Sequence, residues 1–75
     1  MQFKLYSRLD IYDIKFKMWR ESHIVDIDSK KIKVHFKGFN SNYDEWIDSI
    51  NEGERIKEIG SLSNAEGWAK YSLKH

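Results

Sequence analysis

The stretch VHFKGFNSNYDEWI, residues 34–47, carries the strongest pattern in this 75-residue chain. Its four aromatic rings, at positions 36, 39, 43 and 46, are divided by a Gly-Phe-Asn turn. Gly38 and the asparagines tolerate the positive φ angles that a tight turn requires. We expect Phe36 to end one strand, Phe39 to lie in the turn and Tyr43 to begin the next strand.

Rings at two strand ends that flank one turn fit two interpretations. They can stand as the walls of an exposed pocket, where aromatic faces attract a quaternary ammonium by about 0.5–2 kcal/mol for each good contact. They can equally be ordinary core. The ring spacing by itself does not choose between a binding pocket and a packed interior.

Upstream of the turn, residues 31–37 alternate strictly, with Ile32, Val34 and Phe36 on one face and lysines and His35 on the other, which is the period of a half-buried strand. A polar turn at residues 28–30 joins it to a second strand over residues 19–27, bent near its end, so the two form a hairpin. Residues 8–12 predict a first strand and residues 13–18 a loop.

Downstream, residues 43–47 predict a further strand, residues 48–54 a single helical turn, and residues 55–59 a short closing strand through Ile56 and Ile59. Short strands with short turns indicate a small, strongly bent all-β barrel. The tail, residues 60–75, fits either a packing helix or a disordered segment. The predicted organisation is a lead-in at residues 1–6, a domain at 7–59 and this tail.

Composition limits the kinds of protein that this chain can be. A chain of this length buries only about 60% of its unfolded surface, so the core is thin. Cysteine is absent, which excludes disulfides and thiolate metal sites. No apolar run reaches the roughly 18 residues of a membrane span, and the N-terminus lacks an apolar signal segment. We expect a soluble, intracellular protein without a membrane partner, and the eleven aromatic residues favour an exposed aromatic surface.

Charge is unevenly distributed although the net charge is only +1. Residues 15–37 hold seven basic residues against three acids, and residues 38–66 hold two against seven. Such asymmetry can steer a charged partner, although two solvated faces are the commoner meaning of a charge pattern.

Catalytic motifs are missing. The three histidines, at positions 23, 35 and 75, form no zinc-binding pair, and the four glycines are isolated, so there is no phosphate-binding loop. Asp44 and Glu45 are adjacent and would point to opposite faces of a strand. His35, alternating with lysines, is expected to be a lone exposed imidazole. The sequence predicts a protein that is not an enzyme and needs no cofactor and no metal.

Residues 34–47 resemble the signature of the Tudor-knot and chromo-barrel group, V-H-F/Y-x-G-W-N/S-x-x-Y/W-D-E-W-I/V. In that group the run follows a strand that opens K-W-Y-x-A/S, for which KMWRESHI, residues 17–24, is the counterpart, with Trp19 and Ser22 matching. RLDIYD, residues 8–13, is similar to the group's first strand. The resemblance covers roughly residues 7–59, and its D-E-W block is the most specific part. Relatives include the chromo barrels of MYST-type acetyltransferases and MRG proteins, and Tudor domains of certain PHD-finger proteins.

The resemblance implies a five-stranded SH3-like barrel, one module of a nuclear chromatin protein, that binds the methylated lysine of a histone tail in an aromatic cage. The implied cage walls are Phe36, Phe39 and Tyr43, with Tyr12 as the fourth wall or Phe16 in its place. Asp13, Trp19 and Arg20 are further candidates for the cage or its rim. The resemblance also implies a structural role for Trp46, and a core of Trp19, Ile24, Ile32, Val34 and Ile47.

Two departures from the group's pattern bear on the cage. Phe39 stands where the group usually has tryptophan, the strongest cation–π partner. Arg20 stands where relatives often carry tyrosine, and a guanidinium that points inward would oppose a methylammonium.

Two alternatives to a methyl-lysine reader remain open. Nucleic-acid binding to RNA or DNA is suggested by a basic stripe consisting of Lys30, Lys31, Lys33 and Lys37, although a solvated strand face is the commoner meaning of such a run. A structural module without a working cage, which recruits other subunits of a chromatin complex, is the second alternative.

Overall fold

The computed structural model describes residues 3–60, and these form a small all-β domain. Five strands follow one another along the chain: β1 (Arg8–Asp13), β2 (Met18–Asp28), β3 (Lys31–Phe36), β4 (Glu45–Asp48) and β5 (Ile56–Glu58). They build one antiparallel sheet in the order β4-β3-β2-β1-β5. This confirms the all-β, five-stranded fold expected of an SH3-like barrel. The predicted helix or disordered tail lies outside the described residues.

The β2–β3 hairpin contains an irregularity in its register. Ile24 pairs with Val34, and Asp26 pairs with Lys33, so Val25 is the extra residue of a β-bulge. Bulges bend a strand and increase its twist, which confirms the predicted bend. Ser29 turns the chain with a φ of 58°.

The core lies on the inner face of this bent sheet. Its buried members are contributed by all five strands: Leu9, Ile11, Ile24, Ile32, Val34, Phe36, Ile47 and Ile56. Trp19 is also buried. The five core residues implied by the family resemblance are therefore all buried as expected.

Three local predictions are wrong in detail. Tyr43 does not begin β4; it ends a 3₁₀ turn, Ser41–Tyr43, that precedes the strand. The predicted helical turn is a 3₁₀ turn at Gly53–Arg55, later than expected. Ile59 does not close the sheet with Ile56, because it lies beyond the end of β5 and is 37% exposed.

Among residues 3–60, no helix has the length and apolar character to cross a membrane.

Candidate functional site

Four rings meet at the turn between β3 and β4. Phe39 is at the centre, with its ring centroid 6.2 Å from that of Phe36, 5.4 Å from that of Tyr43 and 6.4 Å from that of Phe16. We call these four residues the aromatic cluster. Phe36 and Tyr43 meet Phe39 edge to face, an arrangement that aromatic quadrupoles favour.

Exposure divides the aromatic cluster into a base and a rim. Phe36 is 4% exposed and belongs to the core, whereas Phe16 is 49% and Tyr43 47% exposed. Phe39 is half-buried between them. The cluster therefore presents ring surface of Phe16, Phe39 and Tyr43 to solvent, on a base formed by Phe36.

The position of Tyr43 follows from a capped 3₁₀ turn. The Asn40 side chain accepts the N–H of Asn42 at 2.8 Å, and the Asn40 carbonyl accepts the N–H of Tyr43 at 3.0 Å. Asp44, the next residue, lies 2.7 Å from His35 through Oδ1 and Nδ1. These contacts tie the turn that bears Tyr43 to the outer face of β3.

The contact with Asp44 shows that His35 is not the lone exposed imidazole that the sequence predicted. Its ring is half-buried rather than freely exposed, because Asp44 covers one side and the His23 ring lies 5.2 Å away across the β2–β3 pair. The register His23–His35 could not be counted from sequence alone, since it depends on the bulge at Val25.

The position of Phe16 follows from Asp13 at the end of β1. Asp13 Oδ1 accepts the backbone N–H groups of Lys15 at 3.0 Å and Phe16 at 3.2 Å, which is the geometry of a side-chain-stabilised turn. Lys17 completes the turn with a φ of 55°. Asp13, one of the predicted rim residues, thus fixes the loop that brings Phe16 to Phe39.

Arg20 reaches into the aromatic cluster. Its Nε donates to Asp13 Oδ2 at 2.8 Å, and its Cζ lies 4.3 Å from the Phe39 ring centroid and 5.3 Å from that of Phe16. Both distances are typical of a cation–π contact. The guanidinium therefore points at the rings, which is the orientation that opposes a second cation.

Tyr12 and Trp19 form a separate pair. They are directly opposite each other in the β1–β2 register, with ring centroids 5.5 Å apart. Because side chains alternate along a strand, Tyr12 leaves β1 on the side opposite to Asp13. Between the two residues considered for the fourth wall, ring contact within residues 3–60 places Phe16, not Tyr12, against Phe39.

Arg55 has a central role that the sequence reading missed. It is 4% exposed, and its Nε and Nη2 donate to the Tyr12 carbonyl at 3.0 and 2.8 Å. Its Nη1 and Nη2 also lie 2.9 and 3.0 Å from the two carboxylate oxygens of Glu45, and Nη1 donates to Glu52 Oε1 at 2.9 Å. Burial lowers the pKa of Arg55, but the hydrogen bonds and charges of Glu45 and Glu52 outweigh it, so the pKa is raised. Arg55 locks the end of β1 to β4.

The predicted basic stripe is interleaved with acids. Lys31 is in register with Asp28 on one side and Asp48 on the other, and Lys33 is in register with Asp26. Lys37 Nζ lies 3.6 Å from Glu21, and Lys30 is exposed in the turn. Three of the four lysines, Lys31, Lys33 and Lys37, therefore lie beside a carboxylate of a neighbouring strand, and Lys31 has one on each side.

Trp46, for which the resemblance implies a structural role, lies outside the buried core. It is 42% exposed, and Lys33 Nζ lies 6.0 Å from its ring. Ile47, its neighbour in β4, is fully buried. Because successive side chains of a strand face opposite sides, the burial of Ile47 turns Trp46 outward.

Comparison with known proteins gives local similarities. No family model matches the chain. Human PHD finger protein 20 is 40% identical over 49 residues, which is 63% of this chain, and mouse PHD finger protein 20 is 38% identical over 49 residues, again 63%. Human lethal(3)malignant brain tumor-like protein 4 is 39% identical over 33 residues, 44% of this chain. Each match spans 5% of the relative's length, so the similarity concerns one small part of much larger proteins.

Proposed function

We propose that this domain is a chromatin-associated reader module that binds a methylated lysine of a histone tail at the aromatic cluster. The observation that carries the proposal is the half-exposed rim of Phe16 and Tyr43 on either side of Phe39. Rings buried on every side would be core. Rings that are half-exposed at the surface offer π-faces to a cation.

The chemistry of the aromatic cluster sets the expected strength of binding. A methylated ammonium is poorly hydrated and gains about 0.5–2 kcal/mol from each good aromatic face. The rim offers phenylalanine and tyrosine but no tryptophan. Two or three contacts at the lower end of this range give about 1–1.5 kcal/mol, or roughly 5- to 13-fold preference for the methylated over the unmethylated side chain.

Charge around the rim is mixed. Asp44 follows Tyr43 directly but pairs with His35 at 2.7 Å, and Lys15 Nζ lies 5.8 Å from the Phe16 ring centroid. The exposed ring faces, rather than complementary charge, therefore support the proposal.

Local similarity to PHD finger protein 20 supports the Tudor-like identity of the module, because the sequence pattern resembles Tudor domains of PHD-finger proteins. On that basis we propose a nuclear, non-enzymatic module of a larger chromatin protein, with other subunits of a complex as further partners. The basic stripe does not favour the nucleic-acid alternative, since Lys31 and Lys33 have acids opposite them.

The test is a calorimetric titration with one histone-tail peptide carrying unmodified, mono-, di- or trimethylated lysine. We expect the methylated forms to bind tighter, and Phe39→Ala and Tyr43→Ala to remove that preference. Trp46→Ala is the matched control, because it deletes a similarly exposed ring outside the aromatic cluster. Equal affinity for all four peptides, with the variants folded by NMR, would overturn the proposal.

A further inference from the structure

The cleft between Phe16 and Phe39 already contains a cation. The Arg20 Cζ lies 4.3 and 5.3 Å from the two ring centroids, closer to each ring than the 6.4 Å that separates the rings. The guanidinium therefore sits in the angle between the rings, where the proposed function needs the methylated ammonium.

Asp13 holds this arginine in place. The Asp13–Arg20 contact measures 2.8 Å, and the two side chains are only 8% and 18% exposed, so solvent screens the pair less than it screens a surface ion pair. The other oxygen of the same carboxylate fixes the Phe16 loop. One side chain thus positions both an aromatic wall and the cation that lies against it.

We propose that Arg20 is an internal occupant of the cation site, and that a methylated lysine binds only when the guanidinium swings away from Phe39. This inference rests on the proposed function and deepens it, because it names the residue that sets the affinity. Two cations cannot share one ring face without repulsion, and a partly shielded site strengthens that repulsion. Apparent affinity falls in proportion to the fraction of molecules in which the site is open.

The variants follow from the charge of residue 20. Arg20→Gln removes the charge and keeps a donor for Asp13, so the carboxylate is not left without a hydrogen bond. Arg20→Lys keeps a cation in the same place. Arg8→Met removes a distant arginine on β1 whose side chain is 66% exposed, which controls for any general effect of net charge on a basic peptide.

The experiment titrates the dimethyl- and trimethyl-lysine peptides, and tetramethylammonium as a minimal probe, into the four proteins by NMR. If the site is open in about 10% of wild-type molecules or fewer, Arg20→Gln binds at least about tenfold tighter. Arg20→Lys and Arg8→Met remain within about threefold of wild type. Arg20→Met is the second neutral variant in case Arg20→Gln does not fold.

The Arg20 Nε–H signal provides a readout without ligand. In the wild type, ring currents should displace the chemical shift of this proton from the value of a free arginine. The shift should return toward the free value in Phe39→Leu, and also in the wild type as it is saturated with ligand. The proposal that Arg20 occupies the cation site is overturned if Arg20→Gln binds no tighter than wild type, or if the wild-type Nε–H signal lies at its free position. In either case, methylation-dependent binding by the wild type would still support the proposed reader function. No methylation-dependent binding in any variant overturns both proposals.

Discussion

Two tryptophans illustrate how much a single residue's placement depends on strand alternation. Both were expected to be structural, yet Trp19 is 5% and Trp46 42% exposed. The D-E-W resemblance implied a structural role for Trp46, while the alternation of Trp46 and Ile47 allows only one of them to face inward. Ile47 is the one that the core takes.

The two tryptophans should therefore differ in their effect on stability. Trp19→Ala removes a buried ring and should lower the free energy of unfolding by about 3–5 kcal/mol, which is enough to unfold much of so small a domain. Trp46→Ala should lower it by less than about 1 kcal/mol. Urea denaturation followed by circular dichroism measures both, and equal losses for the two variants would contradict the burial assignment.

The role of Arg55 could not be predicted from the sequence. It is bonded to the carbonyl of Tyr12, 43 residues away, and to Glu45, ten residues away. No sequence pattern links Arg55 to either partner. The sequence placed Arg55 only at the start of a weakly patterned closing strand. A buried arginine of this kind becomes visible only when the fold brings its acceptors together.

At the scale of elements, alternation predicted most of the sheet. β1, β2 and β3 lie within about two residues of their expected bounds because their apolar residues repeat with a period of two. β4 begins at Glu45 rather than Tyr43, since Asn40 caps a 3₁₀ turn that the ring pattern hid. The meeting of Phe36, Phe39 and Tyr43 was predictable from one turn. The approach of Phe16 and Arg20 was not, because it depends on how Asp13 shapes a different loop.

The turn after β4 is the element with the clearest pH dependence. Asp48 Oδ1 accepts the N–H groups of Asn51 and Ile50, each at 2.9 Å, and Lys31 is in register with it. The backbone hydrogen bonds from Asn51 and Ile50, with smaller contributions from the Asn51 side chain and the Lys31 charge, lower the pKa of Asp48 below its ordinary value despite some desolvation. Folding therefore favours the ionised carboxylate.

Stability from Asp48 should be present above about pH 4 and lost as the pH falls through the lowered pKa. Asp48→Asn should melt at a lower temperature than wild type at pH 7, and the difference should narrow as the pH falls through the lowered pKa of Asp48 and the wild-type carboxylate becomes protonated. Differential scanning calorimetry at several pH values measures this. Glu54→Gln, an exposed carboxylate in the neighbouring 3₁₀ turn, should show no such narrowing, and a constant gap for Asp48→Asn would refute the assignment.

At the scale of the whole molecule, folding mixes charges that the sequence separates. The basic residues of 15–37 and the acids of 38–66 look like two opposed blocks. In the sheet, β3 lies between β2 and β4, so its lysines have Asp26 and Asp28 on one side and Asp48 on the other. A phosphate backbone approaching Lys31 or Lys33 would meet these carboxylates as well.

Binding to duplex DNA or RNA should therefore be weak, with a Kd of about 100 μM or weaker near physiological salt, which is the weak end of the range for non-specific contacts. Fluorescence polarisation with a labelled duplex at about 50 and 200 mM salt measures it, since each phosphate contact steepens the salt dependence. Asp26→Asn with Asp48→Asn should strengthen binding by unmasking Lys31 and Lys33. Two results together would instead establish the nucleic-acid function. The wild type would bind the duplex tightly and lose that binding in the Lys31→Gln, Lys33→Gln double variant, and it would bind methylated and unmethylated peptides equally. The basic stripe would then bind phosphate despite the acids beside it.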